Sequence, residues 1–250
     1  MDAIVLAASP NNGLLKSCHS ASMEALIPIG SRPMVEYVLQ ALLQCEPIDR
    51  VVLVGPCELE KRYESNDLVQ VTAGGTDHLD SLQKGIALLK EPSEEILVVA
   101  GDVPLLTAQA ICRFLESCRN SNGDLYYPLI RREVSEGKYP GMKRTFVRLR
   151  DGEVTGGNLL LFKRSILDSI VAKGREFIKL RKDPFGLAGL LGWRFLLSFM
   201  TGTLTVQDAQ NRVSELLGIE GRAIIVEDPE IGFDIDKPTD LELARKILCS

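Results

Sequence analysis

Four largely apolar runs, each leading into a turn, constrain this chain more than any other feature. They occupy residues 3–8, 50–54, 68–72 and 95–100. A run without polar alternation is typical of a strand buried on both faces of a parallel sheet. Strand and helix units in succession predict parallel strands joined by right-handed crossovers. We therefore expect an α/β fold of three αβα layers around a mostly parallel sheet.

The rhythm changes in the second half of the chain. Further strands are predicted at residues 125–130, 159–162 and 222–226. Residues 131–152 are charged and are predicted to be irregular. Because no stretch rich in Pro, Gly or Ser divides the chain, we predict one domain over residues 1–250. Its substrate side is elaborated around residues 125–220.

Residues 185–200 form an apolar stretch that is rich in glycine. A membrane-spanning helix needs about 20 apolar residues, so we predict no membrane span. The pattern favours a buried helix. A homodimer contact and a pocket for an apolar acceptor remain alternatives, because large apolar surfaces seldom stay exposed.

Charge and cysteine usage narrow the class of partner and the compartment. The net charge of −5 argues against a nucleic-acid partner, which needs concentrated Lys and Arg. A triphosphate bound with Mg²⁺ remains compatible, since the metal carries positive charge. Asp2 stands where a signal peptide would be basic, and the six cysteines form no C-x-x-C pair. We therefore expect a cytoplasmic protein with reduced thiols.

Polar residues stand at three places where a strand is predicted to end, and the third of these also precedes the last helix. In open α/β sheets, ligands bind at the carboxyl ends of the strands. The loop of residues 9–13 is rich in turn formers, Asp102 follows the strand at residues 95–100, and Asp234 and Asp236 precede a helix. A carboxylate at a sheet edge suits a hard cation. A plain turn and a helix cap are the alternatives for these positions.

The order of four short motifs resembles a known family. These are Leu-Ala-Ala at residues 6–8, Ala-Leu-Ile-Pro-Ile-Gly-Ser-Arg-Pro-Met at 25–34, Gly-Asp-Val-Pro at 101–104 and Asp-Ile-Asp-Lys-Pro-Thr-Asp-Leu at 234–241. Together they resemble the nucleotidyltransferases of the molybdenum-cofactor guanylyltransferase-like and nucleotide-sugar pyrophosphorylase type. That resemblance implies a nucleotide-diphospho-sugar transferase-like fold.

The resemblance also implies an activity and a set of site residues. Enzymes of this family join a nucleoside triphosphate to a phosphorylated acceptor and release pyrophosphate. By position, Ala7 and Ala8 would contact the base, while Asp102 and Asp236 would hold Mg²⁺ and act in catalysis. The phosphate loop would comprise Asn11, Asn12 and Gly13.

Two further segments are similar to binding segments of the family. Residues 74–81 resemble the base-reading segment of the cytidylyltransferase branch, so Gly74, Gly75 and Ser81 would line the nucleotide pocket. A strand-to-helix turn is the alternative there. Gly157 and Asn158 resemble the acceptor-side strand. We predict that Gly75→Val abolishes nucleotide binding and leaves the fold intact.

Two departures from the family pattern concern its cations. Gly13 stands where the family has an Arg, and Glu24 stands where it has a Lys. Those cations neutralise charge on the phosphates during transfer. Lys16 is our candidate catalytic replacement. Other cations that could contribute are Arg32, Lys143 and Arg144.

The sequence thus favours a Mg²⁺-dependent nucleotidyltransferase acting on a small phosphorylated acceptor. A nucleotide-binding protein with little transferase activity and a glycosyltransferase that uses a nucleotide sugar remain alternatives, since fold alone does not fix chemistry. We expect Asp102 and Asp236 to lie close together. Glu24 should be paired with a cation, help to hold a metal, or turn toward solvent.

Overall fold

The apolar runs form strands, as predicted. The computed structural model describes residues 1–140, 144–180 and 189–249. Its strands are β1 (Asp2–Leu6), β2 (Pro28–Ile29), β3 (Arg32–Pro33), β4 (Arg50–Gly55), β5 (Val69–Ala73), β6 (Glu95–Ala100), β7 (Leu125–Arg131), β8 (Val147–Leu149), β9 (Gly152–Gly156), β10 (Leu159–Lys163) and β11 (Gly221–Val226). Its α-helices are α1 (Met34–Leu43), α2 (Glu60–Tyr63), α3 (His78–Leu88), α4 (Ala108–Arg119), α5 (Arg132–Lys138), α6 (Leu167–Leu180), α7 (Trp193–Met200), α8 (Val206–Leu217) and α9 (Pro238–Leu248).

The first four long strands make the parallel half of the main sheet, in the order β5–β4–β1–β6. Their ends are level, because Leu6 is in register with both Val54 and Ala100. Antiparallel β10 joins this half to β7, and β7 pairs in parallel with β11. The predicted mostly parallel sheet is confirmed. Its carboxyl edge gathers the loops after β1, β4, β5 and β6 on one side of the molecule.

Helices cover both faces of this sheet. On one face, α1 and α4 pack through a large apolar cluster that includes Val38 and Phe114. On the other face, α3 and α6 pack against β10 through Leu82, Ile170 and Phe162. These two buried layers make the three-layer αβα arrangement and hold the strand ends in fixed positions.

Outside residues 141–143, which the structure does not describe, the charged segment at residues 131–152 contains regular structure, so the prediction of an irregular segment was wrong for those parts. It contains α5 and β8. Arg132 pairs with Glu136 one turn along α5 and with Glu153 on β9. Here the charges form a solvated face that supports a helix, whereas the sequence pattern alone suggested a loop.

The apolar stretch predicted as a buried helix is only partly within the described residues, since residues 185–188 lie outside them. Helix α7 covers its second half, but it is not buried. Trp193 is 66% exposed and Met200 is 82% exposed. The expectation of a core helix was therefore wrong. Among the residues that the structure describes, no helix is long and apolar enough to cross a membrane.

Candidate active site

Small residues pack tightly where β1 ends at the carboxyl edge of the sheet. A Cβ atom on Gly101 would lie 2.6 Å from Ala7 Cβ, and one on Gly74 would lie 2.3 Å from Ala8 Cβ. Gly55 has a φ of +148° and approaches the Ala7 carbonyl so closely that a Cβ would lie 2.5 Å from it. Only glycine allows backbones to meet this closely. The result is a tightly packed patch of small residues around Ala7 and Ala8, which we call the small-residue floor.

The segment that resembles a base-reading loop lies beside this floor. Ser81 is buried, and its Oγ accepts a hydrogen bond of 2.9 Å from the Gly75 N–H. Gly74, Gly75 and Ser81 are thus brought together next to Ala8. A Cβ on Gly75 would lie 2.5 Å from the Asp80 carboxylate and 2.6 Å from the Ser81 nitrogen. The expectation that Gly75→Val leaves the fold intact was therefore wrong, since the valine would strain the first turn of α3.

Gly74 allows a second test of this floor with a smaller side chain, although its Cβ would also meet the Ala8 Cβ at 2.3 Å. We expect Gly74→Ala to weaken nucleotide binding by at least about tenfold, because the new methyl group must displace Ala8 from the ligand surface. Gly137→Ala is the matched control, since nothing lies within 4 Å of a Cβ there. Titration calorimetry with the four nucleoside triphosphates measures both variants. Equal affinities would place the nucleotide elsewhere.

The loop after β1 is held by hydrogen bonds from the Asn11 side chain to backbone carbonyl groups of the same loop. Asn11 is buried, and its Nδ2 donates to the carbonyl oxygens of His19 at 2.8 Å and Ala21 at 3.1 Å. Asn12, Gly13 and Lys16 are exposed. Lys16 makes no ion pair with any described residue. Asn11 therefore shapes the loop, while the phosphate roles of Asn12, Gly13 and Lys16 stay predictions.

A backbone hydrogen bond joins the loop after β6 to the segment before α9. The Ile235 N–H donates to the Asp102 carbonyl oxygen at 2.9 Å. Ile235 is fully buried, and its neighbours Asp234 and Asp236 point away from the apolar interior. The structure thereby brings Asp102 and Asp236 together at the carboxyl edge of the sheet.

Their proximity is visible in the electrostatics. Burial, together with the charges of Asp234, Asp236 and Glu24, raises the pKa of Asp102 to about 7. Asp102 Oδ1 is buried and has no hydrogen-bond partner among the described residues. Burial also raises the pKa of Glu24, with Asp236 as the second cause. These four acids, which we call the acid cluster, repel one another and favour a cation between them.

Asp234 is a member of the acid cluster that the sequence analysis noted beside Asp236 but to which it gave no metal or catalytic role. Its Oδ1 lies 2.5 Å from the Arg144 guanidinium and 3.4 Å from the Asn158 amide. Burial raises the pKa of Asp234, while Arg144 opposes that rise. The signal in the sequence was the alternation of acids around Ile235.

Glu24 faces the other acids. It makes no ion pair with Lys16 or Arg32, or with any other described residue. Arg32 instead donates to Gln40 at 2.6 Å and stacks on a tyrosine ring. A Cβ on Gly13 would lie 3.6 Å from Glu24 Oε1, so this carboxylate borders the loop after β1. The pairing expected with a nearby cation is absent among the described residues, so metal binding and a turn toward solvent are the two alternatives left for this partly buried carboxylate.

The acid cluster fits a divalent cation whose coordination a ligand completes. The unpartnered Asp102 Oδ1 and the raised pKa of that carboxyl both show a lack of compensating positive charge. Among the described residues, however, no three His, Cys, Asp or Glu side chains are placed to hold a metal by themselves. Mg²⁺ is commonly bound by one or two carboxylates together with water and substrate phosphates.

A polar pocket of about 270 Å³, which we call the acceptor pocket, adjoins the acid cluster. Its lining includes Arg144, Thr145, Thr155, Gly157, Asn158 and Lys237. Gly157 and Asn158 line this pocket between β9 and β10, and their acceptor-side role stays a prediction. Lys143 lies outside the described residues. The two cations of the pocket can bind an anion next to the carboxylates.

The raised pKa of Asp102 predicts how stability depends on pH. A carboxyl whose pKa is higher in the folded than in the unfolded protein makes the folded state lose stability as pH rises from about 4 to 7. We expect a decrease of roughly 2–4 kcal/mol over this window. Urea unfolding at pH 5 and pH 8 should show it, and Asp102→Asn should remove most of it. A stability that rises over this range in wild type and falls in Asp102→Asn would contradict the assignment.

Comparison with known proteins places this geometry in a family. The family model described as a MobA-like NTP transferase domain matches residues 3–179, well over half of the chain. The chain belongs to this family. MobA-like NTP transferase domains are nucleotidyltransferase domains, in agreement with the resemblance seen in the sequence.

Proteins similar to this MobA-like domain include ones named as transferases. A hypothetical transferase from Thermus thermophilus superposes with a TM-score of 0.82 at 35% identity, over 96% of this chain and 98% of its own. The bifunctional protein GlmU of Thermodesulfovibrio yellowstonii is 28% identical over 61% of this chain, which spans only 32% of that protein. The 2-C-methyl-D-erythritol 4-phosphate cytidylyltransferase of Syntrophus aciditrophicus is 25% identical over 47% of this chain and 53% of its own length.

A solved structure of low sequence identity has a similar fold. A 4-diphosphocytidyl-2C-methyl-D-erythritol synthase from Anaerococcus prevotii superposes with a TM-score of 0.63 at 16% identity, covering 100% of this chain and 96% of its own. At that identity the likeness concerns the fold. The MobA-like domain therefore has the nucleotide-diphospho-sugar transferase fold, a mostly parallel sheet flanked by helices. The matched residues 3–179 include Asp102 but end before Asp234 and Asp236.

Proposed function

We propose that this protein is a Mg²⁺-dependent nucleotidyltransferase that transfers a nucleoside monophosphate from a triphosphate to a small phosphorylated acceptor. The observation that carries this proposal is the acid cluster, where Asp102 Oδ1 is buried and no residue in the described part of the chain hydrogen-bonds to it. The acid cluster lies between the small-residue floor at Ala7 and Ala8 and the acceptor pocket. That order matches the order in which base, reacting phosphate and acceptor would be bound.

Each part of the site has a role in this proposal. The base lies on the floor beside Ala8 and Gly74, and the triphosphate follows the loop with Gly13 and Lys16. Asp102 and Asp236 would hold Mg²⁺, which would offset the charge of the triphosphate and of the acid cluster. Arg144 is positioned by its ion pair with Asp234 and faces the acceptor pocket.

The reaction needs alignment of the two substrates more than a reactive side chain. An oxygen of the acceptor phosphate attacks the α-phosphorus, and the bond from that phosphorus to the bridging oxygen of pyrophosphate breaks. The electron pair leaves with pyrophosphate, so no covalent enzyme intermediate forms. Arg144 and Lys237 orient the acceptor, and such positioning accounts for much of the catalysis in phosphoryl transfer.

One relative supports a phosphorylated acceptor. The Syntrophus protein is named for a cytidylyltransferase acting on 2-C-methyl-D-erythritol 4-phosphate, which carries a phosphate group. The acceptor pocket of this chain presents Arg144 and Lys237, which suit the same chemical group.

Binding without transfer is the competing function, and the position of Glu24 favours it. An additional acid next to Asp236, with Gly13 in place of a cation, gives the triphosphate less positive charge than the family pattern provides. The test is pyrophosphate release from each of the four triphosphates, with and without Mg²⁺, in the presence of phosphorylated sugars and alcohols.

A binding measurement accompanies this assay. A triphosphate at 100 times its dissociation constant stabilises the fold by about 2.7 kcal/mol, which thermal unfolding detects. Stabilisation together with pyrophosphate release supports the transferase. Stabilisation without release across the acceptor set supports the binder, and neither result in any mixture contradicts both.

A further inference from the structure

An apolar groove of about 420 Å³ lies next to the acceptor pocket. Its floor is the sheet face formed by β7, β8, β9 and β11, and its walls are α7 and α8. The lining side chains include Leu129, Val154, Phe195, Phe199, Leu204 and Val213. A volume in this range is typical of a small-molecule site. Leu149, Val154 and Leu204 form a small buried cluster at its base, so the groove has a fixed floor.

The groove and the acceptor pocket meet at two residues. Tyr127 and Gly156 line both of them. A Cβ on Gly156 would lie 2.1 Å from Tyr127 Oη, so glycine is what lets the tyrosine ring lie across this junction. Tyr127 is 40% exposed and presents an apolar ring to one side and a hydroxyl to the other. These two residues form a wall common to both spaces, and a ligand that extends over the Tyr127 ring would occupy both.

The two spaces differ in chemistry in a way that defines such a ligand. The acceptor pocket is polar, with Arg144 and Lys237 as candidate phosphate ligands beside the carboxylates of Asp234 and Asp236, whereas the groove offers almost only hydrocarbon. Apolar surface stays open along the groove, since Phe199 is 45% exposed and Val213 is 42% exposed. Burying that surface on a ligand chain is favourable in proportion to the area covered.

We propose that the acceptor is an amphiphile, a phosphate monoester of an alcohol with a hydrocarbon chain, whose chain occupies the groove while its phosphate occupies the acceptor pocket. This inference rests on the proposed function, because it names the acceptor of that reaction. It also assigns α7 a role: the exposed apolar helix forms one wall of the acceptor site.

The probes are methyl, butyl and octyl phosphate, used below their micellar concentrations and titrated calorimetrically into the whole protein. Affinity should rise with chain length by up to about fourfold per methylene group, and by roughly 100-fold or more from methyl to octyl phosphate. Octanol should bind at least about tenfold more weakly than octyl phosphate, because it lacks the charge that Arg144 and Lys237 recognise.

Variants of the groove test where the hydrocarbon chain of the ligand binds. Phe199→Ser should weaken octyl phosphate binding by at least about tenfold and leave methyl phosphate unchanged. Met200→Ser is the matched control, since Met200 is the next residue on α7, does not line the groove and is 82% exposed. Val213→Ser repeats the test from α8, in case the α7 variant is unstable.

Three results would overturn the inference. The first is an affinity that does not depend on chain length, and the second is an equal loss in Phe199→Ser and Met200→Ser. The third is a dimeric protein that becomes monomeric in Phe199→Ser with unchanged octyl phosphate binding, which would show that a second copy covers the groove.

Pyrophosphate release separates this inference from the proposed function. If pyrophosphate is released with short phosphorylated acceptors and affinity does not depend on the length of the alkyl chain, the transferase function is supported and the amphiphilic acceptor is rejected. If alkyl phosphates bind more tightly as the chain lengthens but no triphosphate gives pyrophosphate, the amphiphilic ligand is supported and the transferase function is rejected.

Discussion

Replacing Asp102 by asparagine is expected to lower pyrophosphate release by at least about 100-fold. Asp102 is the most enclosed carboxylate of the acid cluster, and its Oδ1 has no partner among the described residues. The amide keeps the shape of the side chain but removes the charge that would hold a cation at the α-phosphate. The measurement is a coupled pyrophosphate assay at saturating Mg²⁺ and triphosphate, with the acceptor that gives the highest wild-type rate.

Asp124→Asn is the control for this substitution. Asp124 lies just before β7 and pairs with Lys163 at 2.9 Å, away from the acid cluster. Its rate should stay within about twofold of wild type, since exposed ion pairs contribute little. Thermal unfolding confirms that both variants are folded. If Asp102→Asn retained more than about a tenth of the wild-type rate, the acid cluster could not be the centre of the reaction.

Removing the charge of Glu24 is expected to strengthen triphosphate binding in the absence of metal by about 30-fold. Two like charges about 8 Å apart at an effective dielectric of about 20 repel by roughly 2 kcal/mol, which corresponds to that factor. Glu24→Gln removes the repulsion, and Glu24→Lys should have the larger effect because it restores the family's positive charge. Calorimetry with a non-hydrolysable triphosphate analogue, in EDTA and in Mg²⁺, measures the change.

Glu116→Gln, an exposed acid on α4, controls for the change in net charge. Excess Mg²⁺ should reduce the difference between wild type and Glu24→Gln, since the metal offsets the same charge. An affinity in EDTA that is equal in wild type and both Glu24 variants would place this carboxylate away from the triphosphate. Turnover in Glu24→Lys with none in wild type would favour the binder over the transferase.

The parallel half of the fold was predictable because its signal is local. The buried runs, the turns after them and Asp102 at a strand end are adjacent in the sequence, and parallel strands place their carboxyl ends at one edge. The direction of β10 could not be predicted in this way. A short apolar run reads the same in either direction. The chain reverses at the hairpin between β8 and β9, and β10 then continues in the direction of β9, antiparallel to β6.

The site was only partly predictable, because it depends on contacts between residues that are not neighbours in the sequence. Arg144 reaches Asp234 over 90 residues, and no local pattern announces such a pair. The direction of Glu24 depends on a loop that Asn11 holds through two carbonyl groups. The exposure of α7 depends on which neighbours its apolar face meets, and an apolar sequence is compatible with both a core and a groove.

The hydrogen bond between Ile235 and Asp102 has a consequence for the nascent chain. Ribosomes add about 5–20 residues per second, so the segment with Asp236 emerges roughly 7–27 s after Asp102. Until it arrives, the Asp102 carboxylate has neither of its C-terminal acidic neighbours, Asp234 and Asp236. The acid cluster is therefore completed only late in synthesis, after the whole parallel half of the sheet has been made.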